Sequence, residues 1–147
     1  MRTMKRLPAI FGVLLSGAVM ASAQSGLTLE VQLHYTGAGT VDGTHKIFVA
    51  LWDSPGFPDG SGGPPVAVKS ATSKNGIVTF SDVQTAPAYV SAAYDPSGNW
   101  DGQSGPPPKG ASLGMHSKAP PKPDPINIEP RKTAKATISF DDTVKVQ

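Results

Sequence analysis

Asp95, Ser97, Asn99 and Asp101 stand at alternate positions of one short segment, Asp95-Pro96-Ser97-Gly98-Asn99-Trp100-Asp101-Gly102. Oxygen side chains at positions 1, 3, 5 and 7 suit calcium, a hard cation that takes about six to eight oxygens at ~2.3–2.6 Å and can be wrapped by such a loop. The match to an EF-hand loop is partial. Position 6 is Trp100 where glycine belongs, and position 12 is Pro106 where a bidentate glutamate belongs. The competing reading is a run of Asx turns whose side chains satisfy their own backbone amides.

Trp100 sits inside this polar segment, where a core role is less automatic than for an aromatic residue on a strand. Aromatic faces on loops can stack against sugar rings; the alternative is that Trp100 anchors the loop to the body of the protein, with ~2–3 kcal/mol of apolar burial. Trp100, Asp53 and Tyr94 form the candidate ligand-binding set. His34, His45 and His116, with Met115, are candidate soft ligands for copper, although their wide separation favours ordinary surface histidines. Enzyme motifs are missing: there is no cysteine, no Gly-x-Ser-x-Gly elbow, no His-Glu-x-x-His and no phosphate-cradling glycine loop. The expectation is a non-catalytic protein with no obligatory cofactor, calcium being the one candidate.

These groups sit in a chain of 147 residues that opens with Arg2, Lys5 and Arg6, an apolar run Leu7 to Met20, and the small residues Ala21-Ser22-Ala23. That is the pattern of a secretory signal peptide over residues 1–23, cleaved before Gln24; the apolar run is shorter than the ~20 residues of a membrane span. Of thirteen basic and eleven acidic residues, three basic ones belong to this segment, leaving ten against eleven, a net charge of −1. No basic run survives, which argues against nucleic acid as a partner. Residues 24–147 suit one domain. Without cysteine, neither disulfides nor a lipidated N-terminal cysteine is available, and no second apolar run is long enough to span a bilayer. A periplasmic or secreted protein is expected.

Leu27 to Tyr35 alternates apolar and polar residues and predicts a strand with one face on a core. His45 to Asp53 is apolar on both sides and predicts a central strand, covered twice or sheltered by a loop. Ser54 to Pro65 holds four prolines and four glycines in twelve positions and admits no helix. Val66 to Ala71 and Ile77 to Phe80 read as a hairpin about Asn75-Gly76, with positive φ at its central residues. Ala88 to Asp95 is the next strand, Ile126 to Glu129 a short edge strand, and Ala134 to Phe140 the last. Eight prolines and five glycines mark residues 96–125 as a long irregular segment. The sum is an all-β, seven-stranded antiparallel sandwich of two sheets.

The segments HKIFVALWD, AVKSATSKNGIVTFSDV and AYVSAAYD carry a resemblance. A strand ending in Asp53, the turn Thr72 to Asn75-Gly76, a strand with Phe80 and a strand with Tyr89 resemble the transthyretin-like sandwich modules of exported bacterial proteins. These include carboxypeptidase regulatory-like domains and the B-type repeats of collagen adhesins. Small exported single-domain proteins with segments like KIFVALWDSPGF and YDPSGNWDG are more similar still. The resemblance spans Ile47 to Gly102 and implies a prealbumin-like Greek-key sandwich. The collagen-adhesin isopeptide bond is not implied, because the first strand has no lysine. As sites are grafted onto folds, the function expected is a binding or interaction module, with a carbohydrate-binding module and an accessory subunit of a cell-envelope assembly as alternatives. Its partners are then a glycan or an envelope protein, and its working loops are Asp95 to Lys122 and Ser54 to Pro65.

Overall fold

A computed structural model describes residues 26–147; the expected signal peptide, residues 1–23, lies outside the described residues. The described residues form an all-β fold of two sheets. Its strands are β1 (Leu27–Tyr35), β2 (Ile47–Trp52), β3 (Ala67–Ala71), β4 (Ile77–Val83), β5 (Tyr89–Tyr94), β6 (Ser112–Met115) and β7 (Thr133–Phe140). A single 3-10 turn, Phe57–Asp59, interrupts the loop after β2. One sheet has the order β4-β1-β7 and the other β3-β2-β5-β6. Among the described residues no helix is long and apolar enough to cross a membrane.

Period-two alternation sets the core. Leu29, Val31 and Leu33 of β1 point inward to meet Ile47, Val49 and Leu51 of β2, and all six are at most 2% exposed. Phe80 and Ile138 fill the same layer from β4 and β7. At one end Gly114 of β6 lies under Phe140 of β7: a Cβ there would come within 2.5 Å of the Phe140 Cβ. The two sheets close together at that point because residue 114 has no side chain.

Four expectations about the strands are corrected. Val66 to Ala71 and Ile77 to Phe80 do not form a hairpin: β3 pairs with β2 and β4 pairs with β1, in different sheets. The turn between them has Gly76 N–H donating to Ser73 O at 3.2 Å, and neither Asn75 nor Gly76 has positive φ. A tight primed turn would keep both strands in one sheet; this turn carries the chain across the sandwich. Lys69 spans the resulting gap, donating from Nζ to Thr79 O at 2.8 Å.

The sheets are also not wholly antiparallel. β1 and β7 run parallel in continuous register from Thr28↔Thr133 to Tyr35↔Phe140. A parallel pair needs a long connection, and nearly the whole domain separates these two strands. Finally, residues 96–125 are not irregular throughout, since β6 lies within them and pairs antiparallel with β5 from Tyr94↔Ser112 to Ser91↔Met115. Proline is absent between Lys109 and Ala119, so the donors that a ladder requires are present there. Ile126 to Glu129 forms only an isolated bridge, Ala88↔Ile126.

Candidate functional site

The two outer faces of the sandwich differ in kind. The three-stranded sheet turns Thr28, Glu30, Gln32 and His34 outward from β1, with Thr79 from β4 and Thr137 from β7 in register beside Glu30 and Gln32. Ile77, in register with Gln32 and 56% exposed, is an apolar exception on this otherwise solvated surface. The four-stranded sheet presents Phe48, Ala50 and Trp52 from β2, opposite Ala93, Ser91 and Tyr89 of β5. Leu113 and Met115 extend those rows through β6, and Val68 through β3. None of these side chains is charged, and all but the nearly buried Ala93 are partly exposed. Small residues (Ala50, Ser91, Ala93) floor the middle of the face and aromatic pairs stand at its ends.

Each end is built by a glycine- and proline-rich loop. After β2, Phe57 stacks on Trp52 with ring centroids 4.9 Å apart and planes at 16°. Trp52 Nε1–H donates to Ser91 Oγ at 2.9 Å, which lays the indole along the sheet towards β5. After β5, Trp100 meets Phe48 edge-on at 5.1 Å and 70°. The close approach of this loop depends on Gly102, whose φ is +81° and where a Cβ would fall 2.3 Å from the Phe48 ring. Phe48 and Trp52 are four residues apart on one strand, which separates the two aromatic pairs by ~13 Å.

Trp100 thus anchors its loop and also stands between two open clefts. One, of about 320 Å³, is lined by Asp95, Ser97, Asn99, Asp101, Ser104 and Pro108; the other, of about 300 Å³, by Thr44, Lys46, Phe48 and Asn99 among others. The indole Nε1–H of Trp100 is buried and has no acceptor among the described residues.

The four oxygen-bearing residues of the calcium reading do line one cleft, but their carboxylates are turned onto the loop itself. Asp95 is 3% exposed. Its Oδ1 accepts from Ser97 N at 2.9 Å and its Oδ2 from Trp100 N at 3.0 Å, with Ser97 Oγ donating to both. Burial pushes this carboxyl up, but the hydrogen bonds from Ser97 and Trp100 outweigh it and hold the group below the usual range. Asp101 caps the next turn, accepting from Ser104 Oγ, Gln103 N and Ser104 N; these bonds lower its pKa to about 2. The arrangement is that of consecutive Asx turns.

The other sequence candidates are dispersed. Tyr94 is in the core, 3% exposed, and its hydroxyl donates to Thr40 O at 2.7 Å. It is therefore corrected from surface ligand contact to core residue. Asp53 is exposed beyond Trp52, at the opposite end of β2 from Trp100 and Asp95, as the pairing Ile47↔Tyr94 to Trp52↔Tyr89 requires. Trp100, Asp53 and Tyr94 are not brought together. The three histidines bind three separate partners: His34 with Asn75 Oδ1, His45 with Asp42, and His116 with Thr137 O. Among the described residues no three His, Cys, Asp or Glu side chains group around a metal-sized site, and His34, His45 and His116 do not meet.

Sequence reading missed two features. The first is Phe57, which looked like one residue of a breaker-rich loop. The second is Asp142, whose Oδ1 accepts from Tyr35 Oη at 2.5 Å and Ser112 Oγ at 2.7 Å, while Oδ2 accepts from Ala38 N at 2.9 Å. These donors lower the Asp142 pKa to about 2, and burial together with the Asp142 bond pushes Tyr35 up to about 12. This node ties β1, the loop after it, β6 and the C-terminal segment together. Only the partner-less polar letters Asp141-Asp142 hinted at it in sequence. A scan against family models, a comparison with curated proteins and a comparison with solved structures each find no match to the chain.

Proposed function

We propose that the protein is an exported, non-catalytic binding module whose ligand lies across the outer face of the β3-β2-β5-β6 sheet. The observation that carries this reading is the contrast between the two outer faces. A solvated sheet face normally alternates to polar residues, as the β4-β1-β7 face does with the exception of Ile77, whereas this one keeps a contiguous set, Phe48, Trp52, Tyr89, Leu113 and Met115, partly exposed. Export is supported by the basic start, apolar run and Ala21-Ser22-Ala23 of the sequence. The route of the chain, with β4 crossing to pair with β1 and β5 returning beside β2, supports a Greek-key sandwich of the transthyretin-like kind.

The ligand class favoured by the face is a neutral glycan. Apart from Lys46 and Asp101 at its Trp100 end the face carries no charge to recognise an ionic partner, its rings suit the apolar faces of sugars, and the hydroxyl, amide and carboxylate groups of Ser97, Asn99, Asp101 and Ser104 stand beside Trp100 to meet sugar hydroxyls. Retention of the protein on neutral polysaccharides, lost in Trp52→Ala while the melting temperature stays close to wild type, is the expected result. A protein retained equally well without Trp52 and Trp100 would remove this face from the account. The competing reading, an accessory subunit of an envelope assembly, draws on the same apolar surface and on Val66, 48% exposed at the β3 edge. It predicts a specific crosslink to an envelope protein in the native cell and no glycan retention.

A further inference from the structure

We propose that Asn75 is a site of spontaneous deamidation, and that His34 promotes the reaction by hydrogen bonding the side-chain carbonyl oxygen, which carries the developing negative charge and ends as a carbonyl oxygen of the succinimide. The site lies on the polar side of the sandwich and is independent of the proposed binding face. Asn75 is exposed and is followed by Gly76, whose backbone nitrogen has no side chain to block approach to the Asn75 Cγ. His34 projects from the outer face of β1, with Nδ1 2.9 Å from Asn75 Oδ1. In the tautomer that carries the proton on Nδ1, the imidazole donates to this oxygen. A donor aimed where negative charge develops favours the tetrahedral intermediate over the starting amide.

The reaction needs only water and a solvent base. The Gly76 amide loses its proton and its nitrogen bonds to Asn75 Cγ. The Cγ–Nδ2 bond then breaks, ammonia leaves, and a succinimide remains. Water opens this ring at either carbonyl to give an aspartyl or isoaspartyl residue at position 75. The surrounding backbone fixes the partners. Asn75 O accepts from Gln32 Nε2 at 2.8 Å, Gly76 O from Leu33 N at 2.9 Å, and Lys74 O from Tyr35 N at 3.0 Å. The one N–H that must be released, that of Gly76, has the long bond of the set, 3.2 Å to Ser73 O. The aspartyl product leaves a carboxylate within hydrogen-bond reach of His34.

The chain supplies its own controls, because Asn99 and Asn127 are also exposed but precede the bulky Trp100 and Ile128. Incubation of the folded protein in mildly alkaline buffer, followed by peptide mapping and isoaspartate detection, is expected to show conversion at Asn75 well ahead of Asn99 and Asn127. His34→Val, which keeps a strand-compatible side chain without a donor, is expected to slow conversion at Asn75 about fivefold, the effect of one ordinary hydrogen bond. Two results overturn the proposal. One is conversion at Asn75 no faster than at Asn99 and Asn127 in the unmodified chain. The other is an equal or faster rate in His34→Val, as expected if His34 only holds the turn rigid.

Discussion

Asp142 shows how much a single side chain holds. Its carboxylate takes three donors from three parts of the chain, Tyr35, Ala38 and Ser112. Hydrogen bonds to a charged group contribute ~1.5–3 kcal/mol each way of counting them, so Asp142→Asn is expected to lower unfolding free energy by ~2 kcal/mol in a denaturant titration. The pH dependence follows from the two shifted groups. Asp142 is held at about 2, below the ~3.9 of an unfolded chain, so its contribution is whole above about pH 4 and is lost as pH falls towards 2. Tyr35 is raised to about 12 from an unfolded value of ~10, so its contribution is present below about pH 10 and is lost as pH rises towards 12. Melting curves of the wild type should therefore fall off at both extremes, and those of Asp142→Asn should lose part of the acid limb, the remainder belonging to other carboxylates held low, Asp95 and Asp101 among them. Gly114 is the opposite case, important for what it lacks. Gly114→Ala places a Cβ 2.5 Å from Phe140 and is expected to cost ~1–3 kcal/mol, the range for overpacking a filled core, measured by the same titration.

At the scale of elements, much of the fold was legible. The alternation of Leu27 to Tyr35 and the apolar run of Ile47 to Trp52 predict β1 and β2, and Ala134 to Phe140 predicts β7. Pairing was less legible, because alternation says which face of a strand is buried and nothing about which neighbour it takes. Asn75-Gly76 is the instructive case: the dipeptide marks a turn in either event, but whether the next strand stays in the sheet depends on where β4 can bury Val78 and Phe80, and β1 offers them Val31 and Leu29. β6 was hidden for a different reason. Averaging the prolines of residues 96–125 conceals a proline-free window, and β6 is completed by a partner far along the chain, with Leu113 N–H donating to Val144 O and Val146 N–H to Ala111 O. The site was legible in part. Trp100 stood out as an aromatic residue in a polar loop, but its partner Phe48, and the pairing of Phe57 with Trp52, exist only once the loops fold back over the sheet. Amide exchange tests this local picture: deleting residues 144–147 is expected to remove protection at Leu113 and Gly110 while β1 and β2 stay protected.

For the whole molecule, the decisive feature is asymmetry. One sheet meets water with threonine, glutamine and glutamate, and the other with uncharged, largely aromatic and aliphatic side chains between two loops. The loops both finish the core-distant packing of that sheet and place the hydroxyls and amide of Ser97, Asn99 and Ser104 at its rim. Contiguous apolar surface of this kind is what the proposed binding role rests on. The measurement that tests this most directly is a backbone-amide chemical-shift map of the isotope-labelled protein titrated with soluble neutral polysaccharides. The predicted result is a contiguous set of shifts at Phe48, Ala50, Trp52, Ser91 and Met115, with Glu30, Thr79 and Thr137 unmoved. Shifts confined to the β4-β1-β7 face, or no shifts with any neutral polysaccharide, would contradict it.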